Sequence, residues 1–289
     1  MKPTWLKVKA AAGAGVSRMR GIVRRHGLHT VCEEALCPNL GDCWQHGRAT
    51  VMILGNRCTR RCGFCNVNSA QPAAPDNSEP ARVAAAIADM KLDEVVLTSV
   101  TRDDLPDGGA QLWAETITRI RALCSDICIE ALIPDFRGDP DALKTVFRTR
   151  PDILAHNLET VPSLYPIVRP QADYSRALDI LKTANRHGLI AKTGIMVGLG
   201  ESFSQVVEVM RDAQVCGCSI FTIGQYLQPS REHLPVRRYV EPAEFEHYRH
   251  AGLELGLPLV VSGPLVRSSY HSDEQSALVR RLKERPHLA

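Results

Sequence analysis

From residue 49 onward the chain alternates short apolar runs with longer amphipathic stretches, and that alternation limits its fold more than any other feature. Residues 49–55 (ATVMILG), 93–99 (DEVVLTS), 127–133, 152–155, 189–197 and 219–223 read as strands. Residues 81–90, 111–123, 140–148, 174–187, 204–215 and 242–255 read as helices between and after them. The third opens with Pro140, which fits a first helical turn, and the fourth ends before Gly188. Near-continuous apolar strands separated by helices suit a parallel sheet covered on its outer face. The expected architecture is α/β, a partial (βα)6 TIM-like barrel open on one side. Residues 1–48 then form an N-terminal extension, 49–262 the barrel, and 263–289 a C-terminal segment whose SDEQSALVRRL reads as a helix. Right-handed crossovers place the loops after each strand on one face, where barrel chemistry sits.

Ten cysteines are many for such a chain, and six of them fall between Cys32 and Cys65. With 289 residues and 44% hydrophobic content the chain can bury a large core without covalent staples. No export signal is evident, so a reducing cytoplasm is expected, where clustered cysteines favour metal or redox chemistry. They form two triads, Cys32-x4-Cys37-x5-Cys43 and Cys58-x3-Cys62-x2-Cys65. Thiolates select zinc, copper(I) or iron–sulfur clusters. Structural zinc wants four ligands, and His46 is the one nearby candidate to complete a set. Three ligands on a four-iron cube would leave one iron open to a small molecule. Buried hydrophobic cysteines, a zinc-stabilised binding module, and a redox pair at Cys62–Cys65 are the competing readings. Cys124, Cys128, Cys216 and Cys218 stand outside any motif and read as core packing. His247 and His250 read as a solvated helix face.

Net charge is +3, unevenly placed: residues 1–30 carry seven basic side chains and no acidic one. A solvated helix face, a transit peptide and a docking surface for an acidic partner are the readings. Few aromatics accompany the basic residues, which argues against nucleic acid. No apolar stretch is long enough for a membrane span.

The segment CTRRCGFC, Cys58–Cys65, after a first barrel strand, resembles the radical S-adenosylmethionine (radical SAM) superfamily. CEEALCPNLGDCW at 32–44, TSVTRDDLPDGGA at 98–110, HNLETV at 156–161, GLGE at 198–201 and GPLVRSSY at 263–270 are similar to the lipoyl synthase family. The resemblance runs from about residue 15 to 275. Asp42 departs from it, since Glu is more usual there; no implied ligand changes.

The resemblance implies two [4Fe-4S] clusters and SAM as cofactors. Cys58, Cys62 and Cys65 would hold the cluster whose open iron chelates SAM and cleaves it to a 5′-deoxyadenosyl radical. Cys32, Cys37, Cys43 and Ser269 would hold an auxiliary cluster, consumed as the sulfur donor. Read alone, Ser268 and Ser269 look like a turn or helix cap; the resemblance makes Ser269 a ligand. Asn157, Glu159, Gly198 and Glu201 would contact SAM, and Arg102, Asp103 and Asp104 would line the same mouth. The implied reaction inserts two sulfurs at C6 and C8 of an octanoyl chain on a carrier-domain lysine, at the cost of two SAM molecules. Those C–H bonds are unactivated, so acid–base chemistry cannot open them. Burying six methylenes at ~0.8 kcal/mol each contributes about 5 kcal/mol. A weak protein contact then suffices for docking, and the basic residues 1–30 offer a face for it, through Arg18, Arg20, Arg24 and Arg25. The implied partners are an octanoylated carrier domain (2-oxoacid dehydrogenase E2 or glycine cleavage H protein), a ferredoxin or flavodoxin as electron donor, and an iron–sulfur carrier protein. A radical SAM enzyme inserting sulfur into another substrate remains the alternative enzyme reading.

Overall fold

A computed structural model of the chain describes residues 3–8, 12–267 and 272–284, and the predicted alternation becomes one eight-stranded sheet. At one edge β1 (His29–Thr30) runs antiparallel to β2 (Thr50–Ile53). A two-residue pair, β3 (Arg57–Cys58) and β4 (Asn68–Ser69), stands apart from the sheet. The strands β5 (Glu94–Ser99), β6 (Cys128–Leu132), β7 (Ile153–Ala155), β8 (Ile190–Val197), β9 (Ile220–Gln225) and β10 (Leu259–Gly263) then follow β2 in chain order, each parallel to the last.

The N-terminal helices are α1 (Ala14–Arg25), α2 (Val31–Glu34) and α3 (Leu40–Gln45). Around the barrel come α4 (Glu79–Met90), α5 (Ala110–Leu123), α6 (Pro140–Phe147), the short α7 (Tyr165–Val168), α8 (Tyr174–Arg186), α9 (Phe203–Val215) and α10 (Pro242–Glu254). The six predicted strand–helix units are all present, from β2–α4 to β9–α10. The strand β10 is not marked by the alternation in the sequence. Its run is short, follows Pro258, which has no N–H to donate, and lies at the sheet edge.

Local sequence explains the boundaries. Asp139 caps α6 through the N–H groups of Asp141 and Ala142, and Ser202 with Gln205 forms a reciprocal cap at the start of α9. Alternate residues of the strands divide between two environments. Ala191, Ile195 and Val197 of β8 join a core with α8 and α9, whereas Lys192 faces inward to Glu130 of β6.

The C-terminal helix α11 (Ser272–Glu284) closes the end of the barrel away from the strand-end loops. Its Leu278, Val279 and Leu282 pack on Ile153, Ile190, Ile220 and Leu259, the first residues of β7 to β10. The opposite end carries the loops that follow the strands. Helix α1 joins the main core through Val16, Met19, Ile22 and Val23, next to Trp44 and Val83. Among the described residues no helix is long and apolar enough to cross a membrane.

Candidate functional site

The loop with Cys58, Cys62 and Cys65 follows β2 at the strand-end face, and its neighbours fix it through backbone groups. Thr59 N–H donates to Thr101 O at 3.0 Å, Gly63 N–H to Val168 O at 2.9 Å, and Leu234 N–H to Gly63 O at 3.0 Å. His233 Nε2 lies 3.0 Å from Cys65 O. Loops after β5, β7 and β9 therefore converge on this one. Cys58 Sγ accepts N–H bonds from Arg60 at 3.4 Å and Thr101 at 3.3 Å. These two contacts fix where the Cys58 sulfur stands.

Arg60, between the first two cysteines, is the brace of the loop. Its guanidinium grips Asp103 at 2.6 and 2.9 Å and Asp135 at 2.9 and 2.7 Å. Arg102 braces the next segment, donating to Asp104 twice at 2.9 Å, to Ala73 O at 2.9 Å and to Leu54 O at 3.4 Å. The three residues expected to line the mouth thus hold its walls.

The second triad sits on α2, α3 and the turn between them. Thr30 Oγ1 caps α2 by accepting Glu33 N–H at 3.3 Å, and Cys37 N–H returns to Cys32 O at 3.1 Å. Two side chains tie this extension to the barrel. Asn66, just past Cys65, donates to Glu34 O at 2.7 Å, and Asn39 donates to Leu265 O at 2.6 Å. The two cysteine loops and the segment after β10 are thereby neighbours. Ser269, with Ser268, lies outside the described residues.

All ten cysteines are free thiols. Burial pushes Cys32 up to about 11, and Cys43 and Cys65 up to about 12, with neighbouring thiolates adding to the rise. Burial raises Cys62 as well. These four thiols, two in each triad, hold thiolate only when a bound cation offsets the cost, so the donor set fits metal clusters. His46 does not complete a zinc set: it is exposed, and its Nδ1 lies 2.9 Å from Asp42 O. Among the described residues no three Cys, His, Asp or Glu side chains converge as ligands of a single metal ion do. Cys216 and Cys218 are buried in the core, as the sequence suggested, while Cys124 and Cys128 are half-buried.

The expected SAM residues divide by role. Asn157 Nδ2 donates to Glu159 Oε1 at 3.0 Å. Glu159 adopts φ 66°, a backbone state costly for a residue with a Cβ, and it bridges to Ile195 of β8. Burial raises its carboxyl pKa, against the opposing charges of Arg169 and Arg267. Glu201 is spent on its own turn: its carboxylate accepts N–H bonds from Gly198 at 2.6 Å, Leu199 at 2.9 Å and Gly200 at 3.1 Å. Gly198 has φ 100°, and a Cβ there would stand 2.2 Å from Gln225 Nε2. Glu201 therefore shapes the turn from beneath.

Two arginines that the sequence reading passed over complete the mouth. Arg169 donates to Asn157 O at 2.8 Å, its Nε has no partner among the described residues, and its charge acts on Cys62 and Glu159. Arg267, the first residue of RSSY, donates to Gln225 O at 3.1 Å and acts on both Cys37 and Glu159. It stands between the two triads' surroundings. No spacing signal announces Arg169; Arg267 lay inside a motif already singled out.

A profile of the radical SAM superfamily matches residues 52–213. A lipoyl synthase of Chlorobium chlorochromatii is 53% identical over 94% of this chain and 94% of its own. One of Syntrophotalea carbinolica is 54% identical over 95% of this chain and 90% of its own. Among solved structures, Streptococcus suis SuiB bound to S-adenosylmethionine superposes with a TM-score of 0.59 at 11% identity, over 78% of this chain and 53% of that one. The hydrogenase maturase HydG superposes with a TM-score of 0.59 at 14% identity, over 86% of this chain and 64% of that one. Those two likenesses concern the fold, and the near full-length identity concerns the family: the chain belongs to the lipoyl synthase family of radical SAM proteins.

Proposed function

We propose that Cys58, Cys62 and Cys65 hold the [4Fe-4S] cluster that binds SAM, and that Cys32, Cys37, Cys43 and Ser269 hold the auxiliary [4Fe-4S] cluster. The chain is a lipoyl synthase, and its cofactors are [4Fe-4S] clusters and SAM. When bound, these groups supply hydrogen abstraction from the unactivated C6 and C8 of an octanoyl-lysine and the sulfur that replaces the hydrogens. The observation that carries the assignment is the bond from Asn66 to Glu34 O, which ties the two free-thiol loops together at one mouth.

The chain's own residues supply position. Arg60 and the N–H groups on Cys58 fix the first loop. Asn157 and Glu159 present polar groups toward the SAM side, and the turn shaped by Glu201 presents backbone. Arg169 and Arg267 offset the negative charge of thiolates and carboxylates in a recessed site, where such charge is most costly. The barrel wall and α11 leave the strand-end face as the way in for the substrate arm.

The finer partners are part of the proposal: a carrier domain of a 2-oxoacid dehydrogenase or of the glycine cleavage system, a ferredoxin or flavodoxin as donor, an iron–sulfur carrier that rebuilds the auxiliary cluster, and a cytoplasmic setting. Anaerobic turnover with SAM, reductant and an octanoylated carrier domain, read by mass spectrometry, should show the lipoyl mass. Ser269→Ala should abolish it while SAM cleavage persists. Intact lipoyl formation by that variant would remove Ser269 from the ligand set.

A further inference from the structure

Three of the four arginines on the expected docking face of α1 already have partners within the chain, although Arg18, Arg24 and Arg25 are exposed. Arg18 donates to Met90 O at 3.2 Å. Arg20 lies 3.5 Å from Glu33 and 5.9 Å above the Trp44 ring. Arg25 lies 3.8 Å from Asp89. Arg24 alone of these four has no such contact among the described residues, and Lys2 and Lys9 fall outside them.

The strand-end mouth carries the opposite pattern. Arg57, Arg61, Arg231 and Arg237 are all exposed, and among the described residues none of them pairs with a carboxylate. Their backbones belong to the loops that hold the first triad. Arg57 precedes Cys58, and Arg61 lies between Cys58 and Cys62 with its N–H on Gln171 Oε1 at 2.7 Å. Arg231 is two residues before His233, which meets Cys65 O at 3.0 Å. Arg237 N–H donates to Gly198 O at 2.9 Å. The acids of this face are engaged: Asp103 on Arg60, Asp104 on Arg102, Glu201 on its turn. Glu232 is the exposed acid beside them.

We propose that Arg57, Arg61, Arg231 and Arg237 form the docking surface for an acidic protein face that presents the octanoyl-lysyl arm. The proposal rests on the sulfur-insertion reading above and adds the surface and the charge of the partner. A substrate lysine on a folded domain brings that domain's surface against the mouth. Unpaired guanidiniums around the mouth then attract acidic surfaces and repel basic ones, chiefly through the encounter rate. Arginine is also the cation most at home in interfaces, being weakly hydrated and able to grip carboxylates in pairs. Two exposed apolar side chains suit the same contact: Ile167 and Leu36, 60% and 66% exposed. Ile167 is beside the cysteine loop, since a Cβ on Gly63 would meet its carbonyl at 3.1 Å.

The test titrates the reconstituted holoenzyme with an octanoylated carrier domain, with a short octanoyl-lysyl peptide and with a single-stranded oligonucleotide. For the wild type, carrier affinity should fall steeply with added salt. In the Arg57→Gln/Arg61→Gln/Arg231→Gln/Arg237→Gln variant, Kd for the carrier should rise about tenfold or more at low salt and lose most of its salt dependence. Peptide binding and iron content should stay as in the wild type. The Arg18→Gln/Arg20→Gln/Arg24→Gln/Arg25→Gln variant should bind the carrier normally. Unchanged carrier binding by the mouth variant, an equal loss for carrier and peptide, loss in the α1 variant instead, or tight binding of the oligonucleotide in place of the carrier would each overturn the proposal. A wild type that binds the carrier in this pattern but makes no lipoyl product would leave the docking surface standing and overturn the reaction.

Discussion

Arg60 holds Asp135 in a fork, Nη1 to Oδ2 at 2.9 Å and Nη2 to Oδ1 at 2.7 Å, while its Nε reaches Asp103. Asp135 also accepts from Arg137 N–H at 3.0 Å and Arg176 Nη1 at 3.1 Å. Burial alone would raise the Asp135 pKa, but the hydrogen bonds and charge of Arg60 outweigh it and hold the carboxyl far below the usual range. The loop between Cys58 and Cys62 is thereby locked to the loops after β5 and β6.

Replacing Arg60 removes that lock and leaves the buried Asp135, 3% exposed, with only Arg137 N–H and Arg176 as partners. Arg60→Met should cost about 3 kcal/mol of stability, the low end for a buried pair broken on one side, because Arg176 still faces the carboxylate. Iron bound at the first triad should fall while the auxiliary triad keeps its share, as iron analysis together with electron paramagnetic resonance in the presence of SAM would show. Arg60→Lys should rescue only part, because an ammonium cannot make the two-sided fork. Equal iron in both variants and in the wild type would show that the loop holds itself.

His156 gives a pH dependence. It is buried, with Nδ1 donating to Ile133 O at 2.9 Å, and burial lowers its pKa from 6.5 to about 4. Below pH 6.5 the unfolded chain takes up a proton that the folded chain refuses until about pH 4. The unfolded state then binds more protons, so stability falls as pH falls through that window. Between pH 7 and about pH 5 the loss should be about 2 kcal/mol. Denaturant midpoints at the two pH values check this, and His156→Gln should flatten the difference. An equally steep loss in that variant would assign the slope to other groups.

The barrel was legible in the sequence because its strands and helices are written locally, as apolar runs and 3.6-residue stripes. Cys32 to Cys43 and Cys58 to Cys65 were legible for the same reason, each triad lying in one short segment. What escaped joins distant positions. Arg60 meets Asp103 and Asp135 across 43 and 75 residues, and no local pattern marks such a pair. The seven basic residues at the start were visible as a count, but a count does not show that Arg18, Arg20 and Arg25 have partners in the fold. Glu201 shows a further limit: its place in a family motif was evident, while its role in holding three backbone N–H groups appears only in the structure.

Gly224 marks where the segment after β10 leans into the barrel. A Cβ there would stand 2.2 Å from Val266 O and 2.9 Å from Arg267 Nη1. A backbone atom cannot give way as a side-chain tip can, so Gly224→Ala should displace residues 266–267 and cost about 1–3 kcal/mol. Since Arg267 acts on Cys37 and Glu159, the resonance signal of the auxiliary cluster should shift while that of the SAM cluster changes little. An unaltered auxiliary signal would uncouple this segment from the second triad.

Lys192 and Glu130 make a second buried charge pair, Nζ to Oε2 at 2.6 Å, and Lys192 also donates to Gln275 Oε1 at 2.6 Å. Gln275 belongs to α11, so the pair couples the barrel interior to the helix that closes its lower end. Burial raises the Glu130 pKa, with Lys192 opposing the rise, and Glu130 Oε1 has no partner among the described residues. Such a pair adds little net stability but is costly to break on one side. Lys192→Met should therefore cost about 3 kcal/mol or more, whereas Lys192→Met with Glu130→Leu should recover most of the loss. Gln275→Ala leaves the charge pair intact and should loosen α11 alone, raising hydrogen exchange across Ser272–Glu284 without moving the global denaturant midpoint by much. If the double variant were as unstable as Lys192→Met, packing of the lysine stem rather than its charge would be what holds the lower end of the barrel.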